Sequence, residues 1–280
     1  MKIKNLLMKK ILLFSVLLYV ATYSQKINKN QVYDKYLKNG AYQGSYYNPK
    51  YQKYLDSALV LLPKDPYLWQ QKSMPYFKKK QYELGFLALD NAVKYDDEYY
   101  TYHSYHAFIK CIFEKNYTDA VNEFDALIKF YPKGIIMDHS YYFYKSLSLI
   151  QLNRLNEAEE NLNISLNLFK GNIEPHFLEL FYMGIICYEK EDYEKGIQFF
   201  DKSLKQYPKF SDALYYKAKC LYNINQPDKA FEILKKSKEF LSEKYTINED
   251  NAFYEDYPYQ IKSWMVDNLI QQMGVVIKQR

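Results

Sequence analysis

The stretch EKEDYEKGIQFFDKSLKQYPK at residues 189–209 returns in outline as EKNYTDAVNEFDALIKFYPK at 114–133. Both open on charged residues and place an aromatic three positions ahead of a small residue. Both then run through an apolar segment and close on Tyr-Pro-Lys. Recurrence at a fixed period marks a repeat architecture, in which each unit buries its apolar side against its neighbours.

Aligned on that pattern, the chain holds five copies. Their small residues are Gly85, Ala120, Ala158, Gly196 and Ala230, spaced 35, 38, 38 and 34 residues apart. Three positions before them stand Tyr82, Tyr117, Leu155, Tyr193 and Pro227, and four after them Leu89, Phe124, Leu162, Phe200 and Leu234. Three further on come Ala92, Leu127, Ser165, Ser203 and Ser237. These offsets put all four slots on one helical face, where small residues let a neighbouring helix approach closely. A second apolar-periodic segment precedes each such helix and ends in a polar turn: KKKQ (78–81), EKN (114–116), LNR (152–154), EKED (189–192) and NINQ (223–226).

A helix, a tight turn and a second helix in about 34 residues resembles the tetratricopeptide repeat. Trp69 and Tyr76 match its aromatic slots, Gly184 its small slot, and Pro132 and Pro208 its terminal proline. The resemblance covers Pro66–Lys244, and a degenerate copy before it keeps Tyr51, Leu55, Ala58 and Pro63. It implies an all-α fold, an α-solenoid of antiparallel helix pairs. Departures are Phe108 where a small residue is usual, Pro227 in an aromatic slot, and extra residues in PKGIIMD and KGNIEPH between pairs. Pro75, inside the first helix of its copy, is expected to kink or end it.

Four segments follow: 1–24 a secretory leader, 25–65 a helical region with the degenerate copy, 66–244 five helix pairs, and 245–280 a linker and capping helix. The leader reads as basic MKIKNLLMKK, apolar ILLFSVLLYVA (11–21) and the small residues around Ser24. A membrane anchor competes, but its apolar run falls short of the ~20 residues that span a bilayer. No cysteine lies near Ser24 to carry a lipid. The expectation is an exported bacterial protein of the periplasm or cell exterior, with no stable membrane anchor after cleavage. Net charge is +5, and residues 1–24 hold four lysines and no acid, leaving the rest at +1. Such a balance does not support a phosphate-gripping face, so nucleic acid is not an expected partner.

The enzyme motifs GxSxG, GxxxxGK[ST], HExxH and CxxC are absent from the sequence, and no catalytic residue or cofactor is expected. Cys111, Cys187 and Cys220 are too few and too separated for a disulfide framework and read as small buried apolar residues. His103 and His106, three apart on a helix, could share a metal, but no further ligand stands nearby to complete it.

In the tetratricopeptide family the first helices of successive pairs line a groove that holds peptides. The resemblance carries that role to Tyr67, Phe77, Tyr105, Ile109, Phe143, Leu147, Phe181, Ile185, Tyr188, Tyr215, Lys219 and Tyr222, with Tyr102 beside them. The expected function is a scaffold that binds a protein or an extended peptide through this aromatic groove. Glycan binding by the same rings is the alternative, and packing of the rings within the helix pairs is the plainer account of them. Part of the tyrosine excess (33 residues) reflects the AT-rich codons that Tyr shares with Lys and Asn. Family versions that clamp a terminal carboxylate use Lys, Arg and Asn where this chain is mostly apolar. The segment 261–273, with Ile261, Trp264, Met265, Leu269 and Met273, reads as an amphipathic helix that caps the array or forms a homodimer.

Overall fold

Each of the five polar turns holds one residue in the left-handed region, five positions ahead of the small slot. They are Lys80 (φ 59°), Lys115 (60°), Asn153 (56°), Glu191 (61°) and Asn225 (59°). The following amide reaches back over the helix it leaves. Gln81 N–H donates to Tyr76 O, Arg154 N–H to Leu149 O, Asp192 N–H to Cys187 O and Gln226 N–H to Leu221 O, all at 2.9 Å. A left-handed residue with this reach-back bond satisfies the last carbonyls of a helix and reverses the chain. Repeated five times, it produces antiparallel pairs.

The computed structural model describes residues 27–98, 100–168 and 175–278; the expected leader at 1–24 lies outside them. Among the described residues, no helix is long and apolar enough to cross a membrane. The chain divides into two compact units, Met1–Tyr95 and Asp96–Arg280.

In the first unit, α1 (Lys29–Val32) runs into a π-helical stretch, Tyr33–Lys38, followed by α2 (Pro49–Leu61), α3 (Pro66–Lys78) and α4 (Tyr82–Lys94). Proline opens α2 and α3, with Asn48 and Asp65 as N-caps, because proline's fixed φ suits the first helical position. Tyr51, Leu55 and Ala58 of the degenerate copy lie in the core with Leu37 and Leu68. Pro75 does not end α3; the helix runs one turn further, to Lys78.

The second unit pairs α5 (Thr101–Ile109) with α6 (Tyr117–Phe130), and α7 (Tyr141–Gln151) with α8 (Leu155–Leu168). It continues with α9 (Phe177–Glu189) and α10 (Tyr193–Gln206), then α11 (Ser211–Asn223) and α12 (Pro227–Ser242), and ends on α13 (Ser263–Lys278). Within this unit each later pair packs on the one before, and α13 packs on α12. The fold is an all-α solenoid of antiparallel pairs. One hairpin interrupts it, β1 (Ile135–Ile136) with β2 (His139–Ser140), whose loop residues Met137 and Asp138 both have positive φ. Leu89, Phe124, Leu162, Phe200 and Leu234 are fully buried, one from each copy. The small slot is needed where α9 meets α10: a Cβ on Gly184 would lie 2.5 Å from the Phe200 ring.

The second copy departs from the others for a visible reason. After Ile109 the helix continues as a π-helical turn, Lys110–Glu114, and its reach-back bond spans one residue more, Asn116 N–H to Lys110 O at 3.0 Å. The inserted residue shifts the register, so buried Ala107 takes the small slot. Phe108 instead packs edge-on against Tyr144, centroids 5.1 Å apart.

On the capping helix Met273 is buried and Met265 and Leu269 are half-buried, and Val266 joins them in the core, while Trp264 is 64% exposed and Ile261 precedes the helix.

The left-handed turns make a direct test. A non-glycine residue there costs roughly 1–2 kcal/mol, more when β-branched. Glu191→Gly should raise stability by up to about 1 kcal/mol and Glu191→Val should lower it by about 1–2 kcal/mol, both read by urea unfolding.

Candidate functional site

Every residue of α9 from Phe177 to Cys187 is buried. Neighbouring helices cover part of that surface. Residues 245–262, a strap between α12 and α13 that includes a 3-10 turn at Asp250–Phe253, lie against it and against the first helices of the two neighbouring pairs. Ser211 N–H donates to Tyr245 O at 2.9 Å, and Thr246 Oγ1 donates to Asp212 Oδ2 at 2.7 Å. The strap then reaches His139, whose Nε2 is 3.3 Å from Glu249 Oε1, and Lys115, whose Nζ is 3.9 Å from Glu255 Oε2. On its return Tyr182 donates its hydroxyl to Pro258 O at 2.7 Å, and the rings of Tyr216 and Tyr259 meet at 5.7 Å. It ends where it began: Ile261 N–H donates to Asp212 Oδ1 at 2.8 Å.

Tyr144, Tyr182 and Tyr216 occupy the same repeat slot, fourteen positions before Ala158, Gly196 and Ala230. Each is buried, and burial first of all pushes its phenol well above the usual range, so the hydroxyls stay protonated. Tyr257 of the strap, also buried, is set against Tyr144. Asp212 is the strap's central anchor, accepting at both ends of it. Burial pushes its carboxyl up to about 6, against hydrogen bonds from Ile261 and Thr246 that act the other way.

The residues expected to line a groove divide in two. Phe77, Tyr105, Ile109, Phe143, Leu147, Phe181, Ile185 and Tyr215 are buried. Phe77 lies against Gly85, and Phe143 stacks on His139 at 4.1 Å. Phe181 meets Phe210 at 5.1 Å and Phe200 at 6.0 Å. Their side chains meet other side chains rather than solvent. Tyr67, Tyr102, Tyr188 and Lys219 are half-buried, and Tyr222 is exposed. Three of the thirteen converge: Lys219 Nζ sits 4.7 Å from the Tyr188 ring and 5.8 Å from that of Tyr215. Tyr67 pairs its hydroxyl with Tyr42 at 2.7 Å in the first unit, and Tyr102 N–H donates to Asp96 Oδ2 at 3.2 Å in the second.

A cavity of about 540 Å³ opens beside the strap, between the β1–β2 hairpin, the start of α9 and residues 248–251. His139 is buried at its wall, while His176, the N-cap of α9, is exposed. Their rings stand 5.0 Å apart, edge to face. Although His176 as a residue is exposed, crowding by neighbouring groups lowers its pKa, with His139 adding to the effect. At the base, Ser165 Oγ donates to buried Glu179 at 2.5 Å and pairs with Ser140 Oγ at 2.7 Å. Its repeat equivalents Ser203 and Ser237 instead donate to the backbone carbonyls of Phe177 and Ser211.

His103 and His106 each engage a different carboxylate. His103 Nδ1 is 3.2 Å from Asp96 Oδ2, and His106 Nδ1 is 2.8 Å from Glu123 Oε2, while the other oxygen of Glu123, Oε1, forms an ion pair with Lys110. The three thiols are buried, and burial pushes Cys111 and Cys220 up to about 12 and Cys187 to about 11. Thiols so placed do not supply a thiolate at neutral pH.

A family profile described as Tetratricopeptide repeat matches residues 188–239. Over these residues the chain is similar to that repeat. Among solved structures, a tetratricopeptide repeat protein from Parabacteroides merdae superposes with a TM-score of 0.61 at 12% identity, covering 87% of this chain and 99% of that one. PilF of Pseudomonas aeruginosa does so with 0.58 at 14% identity, covering 77% and 99%. Yeast Tom70 gives 0.57 at 14% identity; 82% of this chain is covered, but only 44% of Tom70. At these identities the likeness is one of fold. No curated protein sequence matches the chain.

Two outcomes follow from the burial. Phe181→Ala should cost about 3–5 kcal/mol in urea unfolding, as truncation of a fully buried ring does, and Tyr188→Ala should cost clearly less. For Asp212 the folded carboxyl holds its proton to about pH 6 and the unfolded one only to 3.8. The native state therefore binds the extra proton between those values, so this group's contribution falls as pH rises through them, by about 3 kcal/mol in all. Asp212→Asn should abolish that decline, measured as unfolding free energy at pH 4 and pH 7.

Proposed function

We propose that this protein is an exported scaffold that binds an extended polypeptide along the inner face of its first helices, and that residues 245–262 are the resident occupant of that face. One observation carries the reading: the face already holds a length of chain from outside the repeats, through a tyrosine hydroxyl on a backbone carbonyl and through ring contacts. A partner would present aromatic rings and a free backbone carbonyl, as the turn YPYQ (257–260) does, and would displace the strap. Protein binding is also what the repeat architecture serves in the tetratricopeptide family. The basic, apolar and small segments at 1–24 support export to the periplasm or cell exterior.

The strap competes as a tethered ligand, whose effective concentration can reach the millimolar range. If it is open only one part in a hundred, a partner's apparent affinity falls about a hundredfold. Loosening the strap should therefore strengthen partner binding. Tyr257→Ala with Tyr259→Ala in the full chain should bind a synthetic peptide of residues 245–262 in fluorescence anisotropy, and the wild type should bind it much more weakly. Crosslinked pull-downs from the cell envelope should recover a protein with the variant that the same peptide competes away. Equal and uncompeted capture by both forms, with no peptide binding, would show the strap to be permanent structure. Competition by soluble cell-wall polysaccharide instead would assign the face to glycans.

A further inference from the structure

We infer that His139, His176 and Glu249 form a binding site for a divalent transition cation of the zinc class. One ligand atom from each of the three lies within 4.8 Å of the others. Tetrahedral zinc with bonds near 2.1 Å needs its ligand atoms about 3.4 Å apart, so the gap to close is at most about 1.4 Å. The side chain placed to close it is His176, which is exposed and whose bond from Leu178 N–H is long, at 3.4 Å. His139 is already oriented, its ring stacked on Phe143 at an interplanar angle of 20° with Nε2 toward Glu249.

The surroundings favour a cation independently of that geometry. The described lining of the cavity carries Asp138, Glu179, Glu249 and Asp250, and no lysine or arginine. Two imidazoles with one carboxylate suit zinc and its neighbours rather than magnesium or calcium, which take oxygen ligands. Three protein ligands leave a fourth position for water.

The ligands also come from separate parts of the chain. His139 and His176 belong to the repeat array, and Glu249 belongs to the strap. A bound ion therefore fastens the strap to the array, a consequence that rests on the strap being displaceable, as proposed above.

The test uses tag-free full-length protein stripped with EDTA and titrated with Zn²⁺ alone in a calorimeter, with Mg²⁺ as control. The expected result is one Zn²⁺ per chain and a thermal midpoint raised by Zn²⁺ but not by Mg²⁺. Glu249→Gln and His176→Ala, at positions that are not fully buried, should each weaken Zn²⁺ by at least about tenfold without altering the circular dichroism spectrum. Absence of zinc binding by the wild type, or unchanged affinity in both variants, overturns the site and leaves the peptide competition unaffected. Zinc binding that does not slow hydrogen exchange at residues 246–255 overturns the fastening.

Discussion

A helix that is apolar on every side cannot stand at the surface of a two-layer array. In this chain α9 is such a helix, buried from Phe177 to Cys187, and much of the second unit is arranged around the need to cover it. Neighbouring pairs cover what the repeat geometry lets them reach, and the strap covers the inner side. Covering it places polar backbone in a buried setting, which is tolerable only if those groups find partners. They find them in Tyr182 and Asp212, two side chains that the first helices place on that face. The apolar demand and the polar provision thus come from the same helical face.

Much of this fold was legible in the sequence because it is periodic. The slots at Leu89, Phe124, Leu162, Phe200 and Leu234 are read from spacing alone, and all of them are core. What escaped is what has no period. The strap is held by individual bonds between distant residues, so YTINEDNAFYEDYPYQ offers no pattern to read. The aromatic stripe was visible as apolar, but periodicity says only that a face is apolar and not what lies against it. The residue gained between Gly85 and Ala120 was visible too, yet a sequence cannot say whether an extra residue enters a loop or a helix. Here it widened a helical turn and put Ala107 where Phe108 had been expected.

The two 38-residue spacings carry a related lesson. The segments PKGIIMD and KGNIEPH stand out as additions to the repeat, each followed or ended by a histidine at the threshold of a first helix. Because the repeats stack, additions at equivalent places in successive pairs are brought to the same side, and His139 and His176 meet there. No spacing rule links them to Glu249; only the return of the strap does. The histidine pair that spacing did single out, His103 and His106, engages carboxylates of its own.

The two bonds on Asp212 have a mechanical consequence. Residues 246 and 261 are tied to one carboxylate, and α13 beyond them is docked on α12. Lifting the middle of the strap therefore raises a closed bight, not a loose tail. A partner would enter sideways beneath it, with nothing to thread through. Both ends would stay in place, and loops of this size close in well under a microsecond. The face would be covered again almost as soon as it was vacated, so a scaffold built this way spends little time with bare aromatic surface in water.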